Sequence, residues 1–384
     1  GPWAWGLGPW RRGPWLRGLG PVSRAVGGGA PEALRELGIA QRRGRRGGEG
    51  AADAAVAGAP ELGAVDRHER AARRRPAPRH QRRDSGEGNV VEHGLNTVCE
   101  EARCPNIHDC WGRGTATFMI AGEVCTRGCR FCAVGTVRTP PDLNPEEPEE
   151  LANAVKRMGL SYAVITVVNR DDLSDGGASH YKDCIQRVSE TNPRVGLELL
   201  CSDLDGNLNS LEMLLEGLPL KVFAHNVECV PRLDSIVRDP RASFEQSLKI
   251  LRYAKEIRPD LMTKTSLMVG LGETDEEISE AMAMVREAGV DMITLGQYLQ
   301  PSIRHLPIDR FPEPESFADW DGTARELGFR AVASGPLVRS SYRAGLLWEE
   351  AMGGEPVVTR DSTGSAVSHI FSAKRDTSAK AENP

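Results

Sequence analysis

Six short apolar runs, each followed by a helical pattern, constrain this chain more than any other feature. They are TFMIA near residue 117, YAVITVV at 162, VGLELLC at 195, LKVFAHNVE at 220, MTKTSLMV at 262 and DMITLGQ at 291. Each is strand-sized and apolar, as a strand buried on both faces must be, so a parallel sheet covered by helices is expected. Between the runs the apolar period lengthens to that of a helix. From Glu146 to Met158, the residues Leu151, Ala154, Val155 and Met158 fall on one face. Glutamates fill the first turn, where the helix dipole favours them, and Gly159 supplies a stop. SFEQ (Ser243 to Gln246) and TDEE (Thr274 to Glu277) have the form of capping boxes, and Gly289 ends the second of these helices. Six β-α units fit a full or partial (β/α) barrel, or a doubly wound sheet.

Barrel sites lie at the C-terminal ends of the strands. There this chain carries NRDDLSDGG (Asn169 to Gly177), His225 with Asn226 and Glu228, GLGE (Gly270 to Glu273), and Gln297 with Tyr298. Each alone reads as a turn; their shared position reads as a common mouth.

Nine cysteines stand at 99, 104, 110, 125, 129, 132, 184, 201 and 229, six of them within 34 residues. In a chain of 384 residues without an evident secretory signal, clustered triplets favour metal or cluster binding in a reducing compartment over disulfides. Cys125, Cys129 and Cys132 follow the first strand with spacing C-x3-C-x2-C. Three thiolates on one loop leave a coordination position open, which marks a reactive centre, and their softness suits an iron–sulfur cluster. A zinc knuckle with a distant fourth ligand is the plainer alternative. The upstream triplet, Cys99, Cys104 and Cys110 in CEEARCPNIHDCW, is also one ligand short. Cys184, Cys201 and Cys229 sit in apolar patterns and read as buried small hydrophobes.

Forty per cent hydrophobic residues suffice for a sizeable core, and a net charge of −6 argues against phosphate-gripping nucleic-acid binding. No apolar run is long enough to span a membrane. Residues 1–83 hold 17 arginines and no lysine against seven acidic residues, in a low-complexity Gly/Ala/Pro background. Residues 1–85 therefore read as a disordered or organelle-targeting extension, mitochondrial or plastid. The first residue is Gly1, which reads as a fragment or a processed form.

The C-x3-C-x2-C motif after a first barrel strand resembles the radical S-adenosylmethionine (SAM) enzymes. Two triplets are a narrower signature. Together with GTATFMI, CTRGCRFCAV, RDDLSDGG, VFAHNVECVPRL, KTSLMVGLGETDEE and ASGPLVRSSYRAG, they resemble the lipoyl synthases from about residue 88 to about 350. The resemblance implies an α/β fold, a partial (β/α)6 TIM-type barrel of the radical SAM type with N- and C-terminal extensions. Residues 86–114 would be an auxiliary-cluster segment, 115–335 the barrel, 336–353 a C-terminal segment and helix, and 354–384 a flexible tail.

The resemblance also implies two 4Fe-4S clusters. Cys125, Cys129 and Cys132 would hold the one that binds SAM and yields a 5′-deoxyadenosyl radical. Cys99, Cys104 and Cys110 would hold an auxiliary cluster, with the fourth ligand from the motif Arg339, Ser340, Ser341, Tyr342. Ser341 is the expected ligand and Ser340 the alternative; without the resemblance the motif is a polar turn whose serine caps the next helix. An oxygen ligand on a soft-ligand cluster is the easier to displace, which suits a cluster consumed as sulfur source for carbons 6 and 8 of a protein-bound octanoyl group. Those carbons are unactivated, so no catalytic group beyond the cluster ligands is expected. Gly176, Gly177, Gly270 and Gly272 would let backbone approach SAM.

The enzyme so implied is a sulfurtransferase. Its partners would be octanoylated lipoyl domains of 2-oxoacid dehydrogenases and the glycine-cleavage H protein, an electron donor such as ferredoxin, and a cluster-repair carrier, with no nucleic acid or membrane. Arg339 and Arg343 are candidate docking cations, or simply solvated. Asn169 stands where many relatives have Asp, Ser174 where many have Pro, and His108 in a variable spacer. A tRNA methylthiotransferase would instead disperse its extra cysteines through an N-terminal domain and add a basic module. An iron–sulfur carrier or zinc module would need no barrel.

Overall fold

The computed structural model describes residues 97–102 and 104–354. The expectations for 1–85 and for the tail from 355 onward lie outside the described residues, as does the start of the 86–114 segment.

Two short helices come first, α1 (Val98–Glu101) and α2 (Ile107–Gly112). Strand β1 (Thr115–Ile120) follows, then the two-residue strands β2 (Val124–Cys125) and β3 (Gly135–Thr136). The alternation continues through α3 (Glu147–Met158), β4 (Tyr162–Val167), α4 (Ala178–Thr191), β5 (Gly196–Leu200), α5 (Leu208–Leu215) and β6 (Val222–Ala224). After α6 (Asp234–Val237) and α7 (Phe244–Ile257) come β7 (Met262–Val269), α8 (Asp275–Glu287), β8 (Met292–Gln297), α9 (Pro314–Glu326), β9 (Ala331–Gly335) and α10 (Ala344–Ala351).

Seven strands form one parallel sheet in the order β1-β4-β5-β6-β7-β8-β9. A doubly wound sheet reverses its order at a switch point; this one advances in a single direction, as a barrel wall does. Among the described residues β1 and β9 do not pair, so the barrel is partial. All six expected strands are present. The seventh, β9, reads AVASG, with one β-branched residue among small ones, and small side chains carry little strand signal.

Local chemistry places the helices largely as expected. Leu151, Ala154 and Val155 are buried on α3, and Gly159 closes it in the left-handed region at φ 60°. Thr274 and Glu277 form a complete capping box, with bonds of 3.2 and 2.9 Å. SFEQ is only half a box. Ser243 accepts from Gln246 N at 3.1 Å, but the Gln246 amide donates instead to Asp203 at 2.7 Å.

The open side of the barrel is covered from both ends of the described chain. Helices α1 and α2 pack on β1, and α10 packs on β9 and β4. Val338, Tyr342, Leu347 and Ala351 join Val222, Ala224, Met262, Met292, Ala331 and Ala333 in one apolar cluster, so the C-terminal segment packs directly against the strands. The Lys264 ammonium pairs with the Glu198 carboxylate, both fully buried, and the Tyr162 hydroxyl donates to Glu198 at 3.2 Å. Charges this deep persist only when matched. No helix among the described residues is long and apolar enough to cross a membrane.

Candidate active site

The loop carrying Cys125, Cys129 and Cys132 leaves β2 and returns to β3, which pairs beside it. Three strand-end segments hold it. After β4, Asn169 N donates to Cys125 Sγ at 3.3 Å, and Asn169 O accepts from Thr126 N at 3.1 Å. These bonds use the Asn169 backbone, so Asn in place of Asp leaves them intact. After β5, Asp203 accepts from Arg127 at 2.6 Å; Asp171 accepts from the same guanidinium at 2.8 Å. Arg127 is thus buried, 4 % exposed, between two carboxylates. After α6, Asp239 accepts from Gly128 N at 2.8 Å and donates its own N–H to Cys129 Sγ at 3.3 Å. Arg241 ties Asp239, Asp171 and the Thr126 carbonyl together. N–H groups aimed at sulfur favour the thiolate a metal needs.

All three cysteines line one cavity of about 310 Å³ at the C-terminal ends of β1, β4, β5 and β6. Met119, Phe131 and Leu200 supply apolar wall; His225, Asn226 and Glu228 supply polar groups. Burial pushes the Cys132 thiol up to about 11 and raises Cys129, so a bound cation must displace their protons. Burial also lowers His225 to about 4. Its Nδ1 lies 2.9 Å from the Cys201 carbonyl, to which it can only donate, and its Nε2 accepts from the Ser247 hydroxyl at 2.9 Å. The ring is therefore neutral at physiological pH, with both nitrogens occupied. Asn226 Oδ1 is buried without a partner, an orphaned acceptor in the cavity wall.

The upstream triplet is assembled differently. Cys99 lies in α1, Cys110 in α2, and Cys104 between them with its N–H on the Cys99 carbonyl at 2.9 Å. Asn106 donates to the Leu337 carbonyl at 2.6 Å across a separation of 231 residues. Asp109 pairs with Arg343 at 2.7 Å and with Arg113 at 3.0 Å. Burial pushes Cys110 up to about 11 against the opposing Arg343 N–H, and raises Cys104 against the Asn106 N–H and the Arg339 charge. The Arg339–Arg343 stretch is therefore laid against the triplet. Neither serine caps α10: its N-cap is Arg343, left-handed at φ 47°, with no side-chain cap bond.

Arg339 donates to the carbonyls of Val338 and Gln297, at 2.6 and 3.4 Å, and Arg343 is committed to Asp109. Their expected alternatives, docking cations or solvated surface, give way to internal roles. The glycine stretches also differ from expectation, since none lines the cavity. A Cβ on Gly177 would lie 2.6 Å from the Tyr181 hydroxyl, and one on Gly270 2.5 Å from the Arg310 carbonyl, both at positive φ. These glycines make room for protein. Cys184 and Cys229 are core residues as expected, whereas Cys201, also buried, lines the cavity.

Among the described residues, one trio of His, Cys, Asp or Glu has its ligand atoms all within 4.8 Å: Glu147, His180 and Cys184. Sequence inspection passes over it, because Glu147 hides in a run of glutamates. Glu147 accepts from Ala121 N at 2.9 Å and meets His180 Nε2 at 2.5 Å, pinning the turn between β1 and the cysteine loop.

The sequence matches the family described as the Radical SAM superfamily over residues 119–285. It is 54 % identical over 256 residues to the mitochondrial lipoyl synthase of Xenopus laevis, covering 65 % of this chain and 68 % of that protein. Against the lipoyl synthase of Marinobacter nauticus it is 51 % identical over 273 residues, covering 71 % and 78 %. Against that of Thermus thermophilus it is 51 % identical over 287 residues, covering 75 % and 88 %. Identity above one half runs well beyond the superfamily match itself and takes in most of each relative's length, so the chain belongs to the lipoyl synthase family within the radical SAM superfamily.

Proposed function

We propose that this chain converts a carrier-bound octanoyl group to a lipoyl group by inserting sulfur at carbons 6 and 8. Superfamily membership implies one 4Fe-4S cluster and SAM. Cys125, Cys129 and Cys132 would hold that cluster, and Cys99, Cys104, Cys110 and Ser341 a second, auxiliary one. The observation that carries the reading is the pairing of two incomplete thiol sets: one opens onto a cavity at the strand ends, the other lies against an Arg-Ser-Ser-Tyr stretch. When bound, the first cluster with SAM supplies a 5′-deoxyadenosyl radical for hydrogen abstraction, and the second supplies sulfur.

The residues of the chain bind and orient. The cavity suits SAM in one specific respect, since the orphaned Asn226 Oδ1 would accept a ligand N–H or O–H. Apolar wall from Met119, Phe131 and Leu200 excludes water and accommodates methylenes. Saturated carbons offer nothing for an acid or base to act on, and the neutral, fully bonded His225 fits a site built without one. By this reading residues 86–114 and 336–353 form the auxiliary-cluster unit and 115–335 the SAM barrel. The carriers are lipoyl domains and the H protein, served by a ferredoxin-type donor and a cluster-repair carrier. An organellar location, mitochondrial or plastid, is tested by imaging a tagged precursor.

Anaerobic reconstitution tests the chemistry. The reading expects about eight irons per chain, as two cubes require. It also expects SAM-dependent 5′-deoxyadenosine and lipoyl product with an octanoyl-lysine peptide. Stoichiometric zinc, or activity on tRNA alone, would overturn it.

A further inference from the structure

Helices α3 and α4 pack side by side and bring three ligating side chains to one point. Glu147 is the first residue of α3. His180 and Cys184 stand four apart on α4, so they project from one face of that helix. The same i, i+4 spacing lets a single helix offer two ligands to one ion. His180 Nε2 lies 2.5 Å from Glu147 Oε2 and 3.7 Å from Cys184 Sγ. Ligands set tetrahedrally at about 2.0–2.3 Å from one ion stand about 3.3–3.6 Å apart. The His180–Cys184 separation already matches that spacing, and the Glu147–His180 pair has to open by only about 1 Å. All three side chains are buried, Cys184 completely.

The trio belongs to neither cysteine triplet and does not line the cavity at the strand ends. Thiolate, imidazole and carboxylate together make a zinc donor set. From this we propose that Glu147, His180 and Cys184 bind one zinc ion, with a water as the fourth ligand. The ion takes the place of the proton between Glu147 and His180, and the Cys184 thiol proton leaves with it, as binding to such ligands requires. Glu147 and His180 keep 11 and 10 % of their side-chain surface exposed, which gives the ion a way in and the water a place. Glu147 can retain its bond from Ala121 N, because a carboxylate has lone pairs for both partners. Ala121 is left-handed at φ 70°, between β1 and the cysteine loop, and its carbonyl accepts from Arg170 at 3.2 Å. Zinc on Glu147 thus fixes from behind the turn that leads into the loop of Cys125, Cys129 and Cys132. The site goes beyond the function proposed above and does not depend on it.

The test offers one molar equivalent of zinc, anaerobically, to iron-loaded enzyme, which is then desalted. Retained metals are counted, and the zinc X-ray absorption edge, to which iron is invisible, reports the ligands. The expected result is one zinc per chain with iron content unchanged. Its shell should hold one sulfur at about 2.3 Å and three nitrogen or oxygen atoms at about 2.0–2.2 Å. In Cys184→Ala the sulfur should leave that shell. In His180→Gln zinc affinity should fall about tenfold or more, since even outer partners of a metal site cost that much. Zinc that washes off the wild-type enzyme overturns the proposal, and so does a shell unchanged in Cys184→Ala. A shell of three sulfurs with loss of iron also overturns it. That result puts zinc in a cysteine triplet and refutes the function proposed above as well. The wild-type shell alone decides the matter if a variant does not fold.

Discussion

The two cysteine triplets are held in opposite ways. The Cys125–Cys132 loop is braced by neighbours at the same strand ends, through backbone N–H groups on two sulfurs and a buried arginine between two carboxylates. The Cys99–Cys110 segment is tied to a stretch more than 200 residues away by an amide–carbonyl bond and one partly exposed ion pair. A site that must survive many turnovers gains from the first arrangement. The second arrangement depends instead on long-range ties to a stretch that itself packs on the strands through Val338 and Tyr342.

The sharpest way to break this contrast is Arg127→Met. It leaves Asp171 and Asp203 without their shared cation, and removing one partner of a buried pair costs about 3–5 kcal/mol. Thermal unfolding and iron content should both fall, with about four irons retained at most if the second site survives. Eight irons and an unshifted midpoint would mean the ion pairs do not hold the loop. Ser341→Cys probes the other side. It should keep full iron content, while lipoyl formation drops about tenfold or more because thiolate is displaced less easily than oxygen. Undiminished turnover would argue against a displaceable oxygen ligand.

Asp109→Ala should be milder. It cuts the tie to Arg343, a partly exposed pair worth about 1 kcal/mol. Chelator challenge should then strip the upstream site faster while spectra of the SAM-type site hold; equal loss from both would erase the proposed asymmetry. The smallest effect is the reference variant Thr274→Ala, which removes a helix cap remote from either triplet at a cost of about 1 kcal/mol and no iron. That cap carries a pH signature. Arg232, followed by the Thr274 N–H, holds Glu277 down to about 2 from an ordinary 4.5. Its contribution is complete above pH 4.5 and is lost as pH falls through 2, a window accessible to acid unfolding.

Strand and helix positions were legible because apolar periodicity reports burial directly, as at Leu151, Ala154 and Val155. Strand β9 was not, since alanine, serine and glycine carry almost no period. The cysteine groups were visible from spacing, but the Arg339–Arg343 stretch was singled out only through family resemblance: nothing local marks a polar turn as the neighbour of Cys110. The same holds for side chains whose role depends on distant neighbours. Gln246 looked like half of a capping box and bonds Asp203; Arg339 and Arg343 looked like surface cations and face inward.

The bond from Asn106 to the Leu337 carbonyl spans 231 residues, and this bears on biogenesis. At about 5–20 residues per second, roughly 10 to 50 seconds of synthesis separate the two partners. During that interval the first three thiols to be made have no closing segment, while the barrel loop can complete its own set much sooner. The contact between the upstream triplet's segment and Leu337 can therefore form only after the whole barrel sequence has been made.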